Sequence, residues 1–400
     1  MALTKVITGV TDLNQAHSTN GLKFPTGSVF AGTPEEGMIR NDQSQSSETS
    51  SSTMQFYNGT AWKNFVNKSS IPLGSDNFNS VLYTGSGGSQ NIDTVGFQPD
   101  FTWIKQRNDT NPHSIFDSVR GAGKLLSSQN TNAESGNAGD LLGSFRPLGF
   151  QVNRTYLSSN FDNTNLSGAT YVAWSWKAGG AAVSNTDGSI TSQVSANVDT
   201  GFSIVSYTGA SGTVGHGLDS TPEIIIQKKT NGSEDWYVYF PPGVIDSNYN
   251  YMVLNSTAGK GTTGSTPPTT TTFNPVSSSG NYIAYAWHSV AGYSKIGPYT
   301  GNGSATGPVV DTGFEPAWVM IKSSSSNDGG GGAWLIYDNK RSTSNPRNKR
   351  LYPNYNYAEL TSSSYDLDFL SNGFQPKSGA SSYGFNTSGV EYIYMAFAAT

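Results

Sequence analysis

The residues able to do chemistry in this chain are few and scattered. Four histidines, His17, His113, His216 and His288, lie far apart, and no two stand at the spacing of a metal site. There is no cysteine, which excludes thiolate ligands, disulfides and a thiol nucleophile. The patterns of a nucleophile elbow, a zinc-protease helix, a Walker loop and a calcium loop are all missing. The glycine run Gly329–Gly332 leads into AWLIY with no lysine on a following helix, so it lacks the helix N-terminus of a phosphate cradle and reads as a loop. Glycoside hydrolysis needs two carboxyl groups about 5 to 9 Å apart. Glu234 and Asp235 are adjacent, which on a strand turns them to opposite faces. Glu35 and Glu36 precede a glycine, and Asp366 and Asp368 could share a strand face, solvent being their expected fate. No catalytic residue, metal or cofactor is expected, and the chain reads as a non-enzyme.

Two other constellations invite a binding role. Asp117/Arg120 and Asp338/Arg341 occupy matching places in two parts of the chain. They form either a paired ligand contact or a local ion pair at a strand end, and the local pair is the preferred reading. The run YPNYNYAEL, Tyr352–Leu360, interleaves tyrosines with asparagines where a matching stretch has SSQNTNAES. Aromatic faces stack on sugar rings and asparagine amides serve hydroxyl groups from both ends. Tyr352, Asn354, Tyr355, Asn356 and Tyr357 are therefore the candidate receptor-binding residues. The competing reading has these rings covering a neighbouring domain or chain.

The elements that position these residues repeat. YTG occurs at Tyr83–Gly85, Tyr207–Gly209 and Tyr299–Gly301. About fifteen residues on, a proline opens PDFTWIK, PEIIIQK or PAWVMIK, each with a lysine at one offset: Lys105, Lys228 and Lys322. A Ser-Gly turn then leads into YVAWSW, YIAYAW or YIYMAF. Period-two alternation puts one face of these last strands in a core, with Trp174, Trp176, Tyr285, Trp287 and Tyr394 as packing residues. The reading is all-β: three tandem diverged antiparallel β-sandwich repeats, jelly-roll or lectin-like, behind a small N-terminal β-hairpin module. The boundaries are 1–66 for the N-terminal module, 77–180 for the first repeat, 181–200 for a connector, and 201–290 and 291–400 for the second and third repeats. The near absence of a linker between the last two predicts that they form the stiffer pair. The second repeat departs furthest, with WYVYFPPG replacing the Asp and Arg of the other two.

Composition agrees. Aromatic residues are 12% of the chain and the net charge is only −5, which suits many short strands rather than disorder. The acidic balance argues against nucleic acid, and the basic run Arg341–Arg350 reads as a solvated loop. No apolar stretch approaches a membrane span, and the first residues lack the plan of a secretion signal.

At the N-terminus, TPEEGMIRND followed by MQFYNGTAWKNF resembles a short module found near the start of phage tail-fibre and other virion proteins. Met54–Phe65 reads as a hairpin turning at Asn58-Gly59. From Phe78 onward, GFQPDFTWIK, DSVRG, YVAWSWKAGG, VSNTDGSI, GFSIVSYTG, TGFEPAWVMIK, DNKR, DFLSNGF and YIYMAFA resemble a repeat family of tail-fibre-type proteins of marine phages, cyanophages especially. The resemblance implies a virion protein acting outside the cell at the host surface, a tail fibre or receptor-binding protein. It implies attachment to other virion proteins through residues 1–66, with Phe24, Ile39, Arg40, Phe56, Tyr57 and Trp62 as candidate contacts. It further implies a homotrimer, and the partner on the host is a surface glycan or protein. An adaptor or head-decoration protein without a host ligand is the alternative, and a glycan depolymerase is the least favoured.

Overall fold

The computed structural model describes residues 39–42, 53–57, 62–64, 74–135, 141–153, 164–209, 211–276, 278–325, 332–377 and 385–398. The chain divides into two compact units, Met1–Ser70 and Ile71–Thr400. In the first, β1 (Ile39–Asp42), β2 (Thr53–Tyr57) and β3 (Trp62–Asn64) form an antiparallel sheet in that order. Strands β2 and β3 pair with Tyr57 opposite Trp62, as a hairpin over 54–65 requires. Ile39, Arg40, Phe56, Tyr57 and Trp62 lie on these strands, while Phe24 and the turn Asn58-Gly59 lie outside the described residues.

The second unit contains three successive strand sets. The first holds β4 (Phe78–Thr84), β5 (Gln90–Ile92), β6 (Phe101–Gln106), β7 (Ser114–Asp117), β8 (Leu142–Arg146), β9 (Gly149–Val152) and β10 (Thr170–Trp176). The second holds β11 (Val183–Asn185), β12 (Ser192–Asn197), β13 (Phe202–Thr208), β14 (Val214–Gly215), β15 (Ile224–Lys229), β16 (Tyr237–Phe240), β17 (Asn250–Val253), β18 (Gly261–Thr262), β19 (Thr272–Phe273) and β20 (Asn281–Trp287). The third holds β21 (Ser294–Thr300), β22 (Val310–Asp311), β23 (Pro316–Ser323), β24 (Leu335–Asp338), β25 (Lys349–Arg350), β26 (Leu360–Thr361), β27 (Leu367–Leu370), β28 (Gly373–Pro376) and β29 (Glu391–Ala398).

An antiparallel order recurs: β4-β10-β6-β7, β13-β20-β15-β16 and β21-β29-β23-β24. In the middle set, β12 and β11 extend this sheet on one side and β17 and β18 on the other. Outer sheets β5-β9-β8 and β22-β28-β27 pack over the first and third inner sheets, with only the two-stranded β14-β19 over the second. The fold is all-β and built of sandwiched antiparallel sheets.

The aromatic strands sit at the centre of each inner sheet, paired on both sides. Alternation alone predicts one buried face, but here both faces are buried. Tyr171 and Ala173 face a core private to the first set, whereas Val172, Trp174 and Trp176 face another. Tyr282 and Ala284 likewise separate from Ile283, Tyr285 and Trp287, and Tyr392, Tyr394 and Ala396 from Ile393, Met395 and Phe397. The second faces all meet in one core to which the three sets contribute. Trp176 lies 5.5 Å from Trp318, 5.5 Å from Phe397 and 6.4 Å from Trp287, ring to ring. The three sets are thus joined through shared apolar surface, which a string of separate sandwiches would leave in water.

Trp176→Ala should destabilise the fold by about 3–5 kcal/mol, the cost of a large buried cavity. Because the core is shared, urea unfolding followed by near-UV and far-UV circular dichroism should show one coincident transition for residues 71–400. Separate transitions for the three sets would contradict a shared core.

Candidate functional site

The tyrosine loop is positioned by the joints between strand sets, and these joints close in a ring. The residue just before β7, β16 and β24 is His113, Trp236 and Trp334, respectively. Trp236 Nε1 donates to the Ser127 carbonyl at 2.9 Å, so the second set bonds to the first. Trp334 Nε1 donates to Val253 O at 3.0 Å, third to second. His113 Nε2 lies 2.9 Å from Tyr352 O, first to third. His113 Nδ1 accepts the indole proton of Trp103 at 2.8 Å, so Nε2 carries the ring hydrogen and donates. Burial, aided by Lys105, holds the pKa of His113 well below the usual value, which keeps this neutral donor intact. A second ring of main-chain bonds runs from Glu134 N to Thr230 O, from Lys260 N to Ser324 O and from Glu359 N to Arg107 O, at 2.8, 2.8 and 2.7 Å.

The loop is held at both ends by these bonds. Tyr352 is only 8% exposed, and Asn354 only 5%. The Asn354 Oδ1 accepts from Trp334 N at 3.0 Å, as Asn255 does for Trp236 and Gln129 for His113. These two candidates are therefore internal: Tyr352 O closes the ring of joints and Asn354 braces an adjacent turn. The Pro353 carbonyl accepts from Ser128 Oγ at 2.7 Å. Arg107 clamps the far end through a bidentate pair with Glu359, both contacts 2.9 Å. Between the clamps Tyr355 is half-buried, whereas Asn356 and Tyr357 are exposed, Tyr357 by 45%. The rings of Tyr355 and Tyr357 stack at 4.7 Å and 13°. At the other joints a buried lysine reaches the loop, Lys228 to Thr131 O and Lys322 to Thr257 O. Here Lys105 turns to Gln106 O and Asp109 O of its own set, and no hydrogen bond to the Asn356 side chain is found among the described residues.

Sequence reading did not single out Arg107 or Glu359 for the loop. They lie 252 residues apart, and only alignment of Arg107 with Thr230 and Ser324 gives any signal. The paired Asp and Arg residues are local ion pairs, as preferred, but they are buried rather than exposed at a strand end. Asp117 accepts from Arg120 at 2.6 Å and from Tyr285 of the second set at 2.7 Å. Asp338 binds Arg341 and accepts from Trp174 of the first set at 3.0 Å. In the run Arg341–Arg350, expected to be solvated, residues 343–346 are exposed but the arginines are internal. Arg341, Arg347 and Arg350 are buried, lying over Trp174, Phe369 and Tyr365 at 5.6, 5.1 and 3.7 Å. Their side chains pack as flat, delocalised cations on aromatic faces.

The carboxylates considered for hydrolysis are placed as follows. Glu234 accepts from Tyr282 at 2.5 Å and from Ser278 at 2.6 Å, while Asp235 accepts from Asn255 at 2.7 Å. Burial and then Asp368 raise the pKa of Asp366, and Asp368 lies 3.6 Å from Lys377. Among the described residues no group of three or more His, Asp or Glu side chains is arranged to hold a metal ion. No helix is long and apolar enough to cross a membrane, again among the described residues.

A family model described as a domain of unknown function (DUF7483) matches residues 73–400, and the chain belongs to that family. No curated protein and no solved structure matches the chain.

Asp338→Ala leaves the buried Arg341 guanidinium with only the longer carboxylate contact, to Glu359 at 3.4 Å, and strands the Trp174 indole N–H, and should cost about 3–5 kcal/mol in urea denaturation. Lys105 supplies a pH test. Burial lowers its pKa from 10.5 to about 7, and a neutral amine still has two hydrogens for its two carbonyls. Between those values the unfolded chain binds more protons than the folded one, so this residue makes stability rise with pH. The melting temperature should climb from about pH 7 towards pH 10.5, and the climb should shrink in Lys105→Met.

Proposed function

We propose that this member of the DUF7483 family is a non-enzymatic, tail-fibre-type phage protein that adheres to the host surface through the loop around Tyr355 and Tyr357. The observation that carries the reading is the stacked pair itself. Tyr355 rests half-buried against the core of the third set, and the exposed Tyr357 ring stacks on it, with an exposed asparagine amide between them. A ligand meeting a preset ring pair loses less binding energy to ordering than one meeting a loose loop. The amide and phenol groups suit hydroxyl-rich glycans or polar protein surfaces.

In this reading residues 1–66 attach the chain to other virion proteins. Several copies on one particle convert weak single contacts into avidity. The homotrimer implied by the resemblance would draw its contacts from outer faces or from the N-terminal unit, because the inward faces of the three central sheets are already buried within one chain.

The test is binding of the full-length chain to cells of candidate hosts. Tyr355→Ala with Tyr357→Ala should abolish host-selective binding in a chain that still folds, and Tyr357→Ala alone should weaken it while moving the melting temperature by no more than about 2 °C, as expected of a surface change. Unchanged binding in the double variant would remove the loop from the proposal. A folded chain that binds no host but captures purified virion proteins would favour the adaptor reading instead.

A further inference from the structure

The middle strand set carries a cluster of half-buried tyrosines on its inner sheet. Its inner sheet continues past β16 into β17 and β18, and its outer cover is the two-stranded β14-β19. In the first and third sets, the β7 and β24 positions facing the outer cover are Phe116 and Tyr337, both fully buried. Their counterpart on β16 is Tyr239, which is half-buried, as are Tyr237 and the Tyr251 of β17; one side of Tyr237 and Tyr239 packs on the core of the second set. Tyr239 and Tyr251 are directly opposed across the two strands, so these side chains share a face. The alternate residues Val238, Phe240 and Met252 enter the shared core.

The three rings form a shallow cup. Centroids are 6.2 Å apart for Tyr237–Tyr239, 6.3 Å for Tyr239–Tyr251 and 6.1 Å for Tyr237–Tyr251, with planes inclined by 30°, 43° and 60°. Tyr249 extends the group, 5.7 Å from Tyr239. A Cβ at residue 261 would fall 2.7 Å from the Tyr251 ring, so Gly261 gives that ring its seat.

Their hydroxyls are available to a ligand. Several tyrosines that serve the cores bind partners inside the fold: Tyr83 to Thr164 O, Tyr207 to Gln227, Tyr299 to Phe385 O and Tyr337 to Tyr365 O. This is the usual state of a buried phenol. The hydroxyls of Tyr237, Tyr239 and Tyr251 make no hydrogen bond within the described residues and reach the surface. Beside them, Glu234 is fixed by Tyr282 and Ser278.

We infer that Tyr237, Tyr239 and Tyr251 form a carbohydrate-binding platform for an unbranched neutral hexopyranose chain. The apolar faces of sugar rings stack in the cup, and the free phenols, which both donate and accept, pair with ring hydroxyls. The site is distinct from the Tyr355–Tyr357 loop and does not depend on it.

The experiment titrates full-length protein with maltohexaose, cellohexaose and chitohexaose by calorimetry. At least one should bind, and Tyr239→Ala with Tyr251→Ala should weaken it by about tenfold or more. Tyr239→Phe with Tyr251→Phe should keep the fold and still weaken binding, separating hydroxyl pairing from loss of shape. Tyr355→Ala with Tyr357→Ala should leave this affinity unchanged, so failure of the platform and failure of the cell-binding loop are told apart. Absence of binding by all three sugars overturns the inference. So does binding that survives the Tyr239/Tyr251 alanine variant with its melting temperature intact.

Discussion

Packing of three sheet faces against one another around Trp176 is the constraint on which the rest of the second unit depends. Each inner sheet has two apolar faces, and its own outer sheet covers only one of them. A central strand such as YVAWSW therefore cannot be stable in an isolated sandwich without exposing Val172, Trp174 and Trp176. Each of those side chains stabilises the fold by roughly 1.5–3 kcal/mol when removed from water. Joining the three faces removes the exposure in one step and makes the stability of each set a property of all three.

A shared core holds its parts together but is indifferent to their order, since apolar contact is non-directional. Directional bonds at the joints supply the order. Tyr285 finds Asp117 and Trp174 finds Asp338, two charged acceptors each matched by a donor on the neighbouring set. The third joint has Phe240, with Met395 lining the same gap. The absence of Asp and Arg from WYVYFPPG thus has a physical reason: a carboxylate there would be buried against a thioether that has no hydrogen to donate.

This architecture divides inner from outer surface. The inward surfaces are spent on cohesion, and loops at the joints are clamped on both sides and project from a stiff base. Differences among the strand sets then become differences in what is presented. The third set offers a stacked tyrosine pair on the loop that Lys105 does not bond. The second offers a tyrosine cup because its outer sheet stops short.

Much of this was legible in the residues. The recurring YTG, proline strand and aromatic strand mark the inner strands, since period-two alternation and turn residues are local properties. The spacing of Lys105, Lys228 and Lys322 was visible too, though not that each amine would be buried and bonded to carbonyls. Other features were decided only by tertiary packing. A strand buried on one face and a strand buried on both can show the same alternation, so the shared core could not be read from sequence. Tyr352 and Asn354 look like the exposed Asn356 and Tyr357 beside them, but they fall where a joint closes. Sequence determines which side chains a strand turns to each face. What those faces meet depends on contacts between residues such as Arg107 and Glu359, far apart in the chain, and such contacts exist only once the sheets have packed.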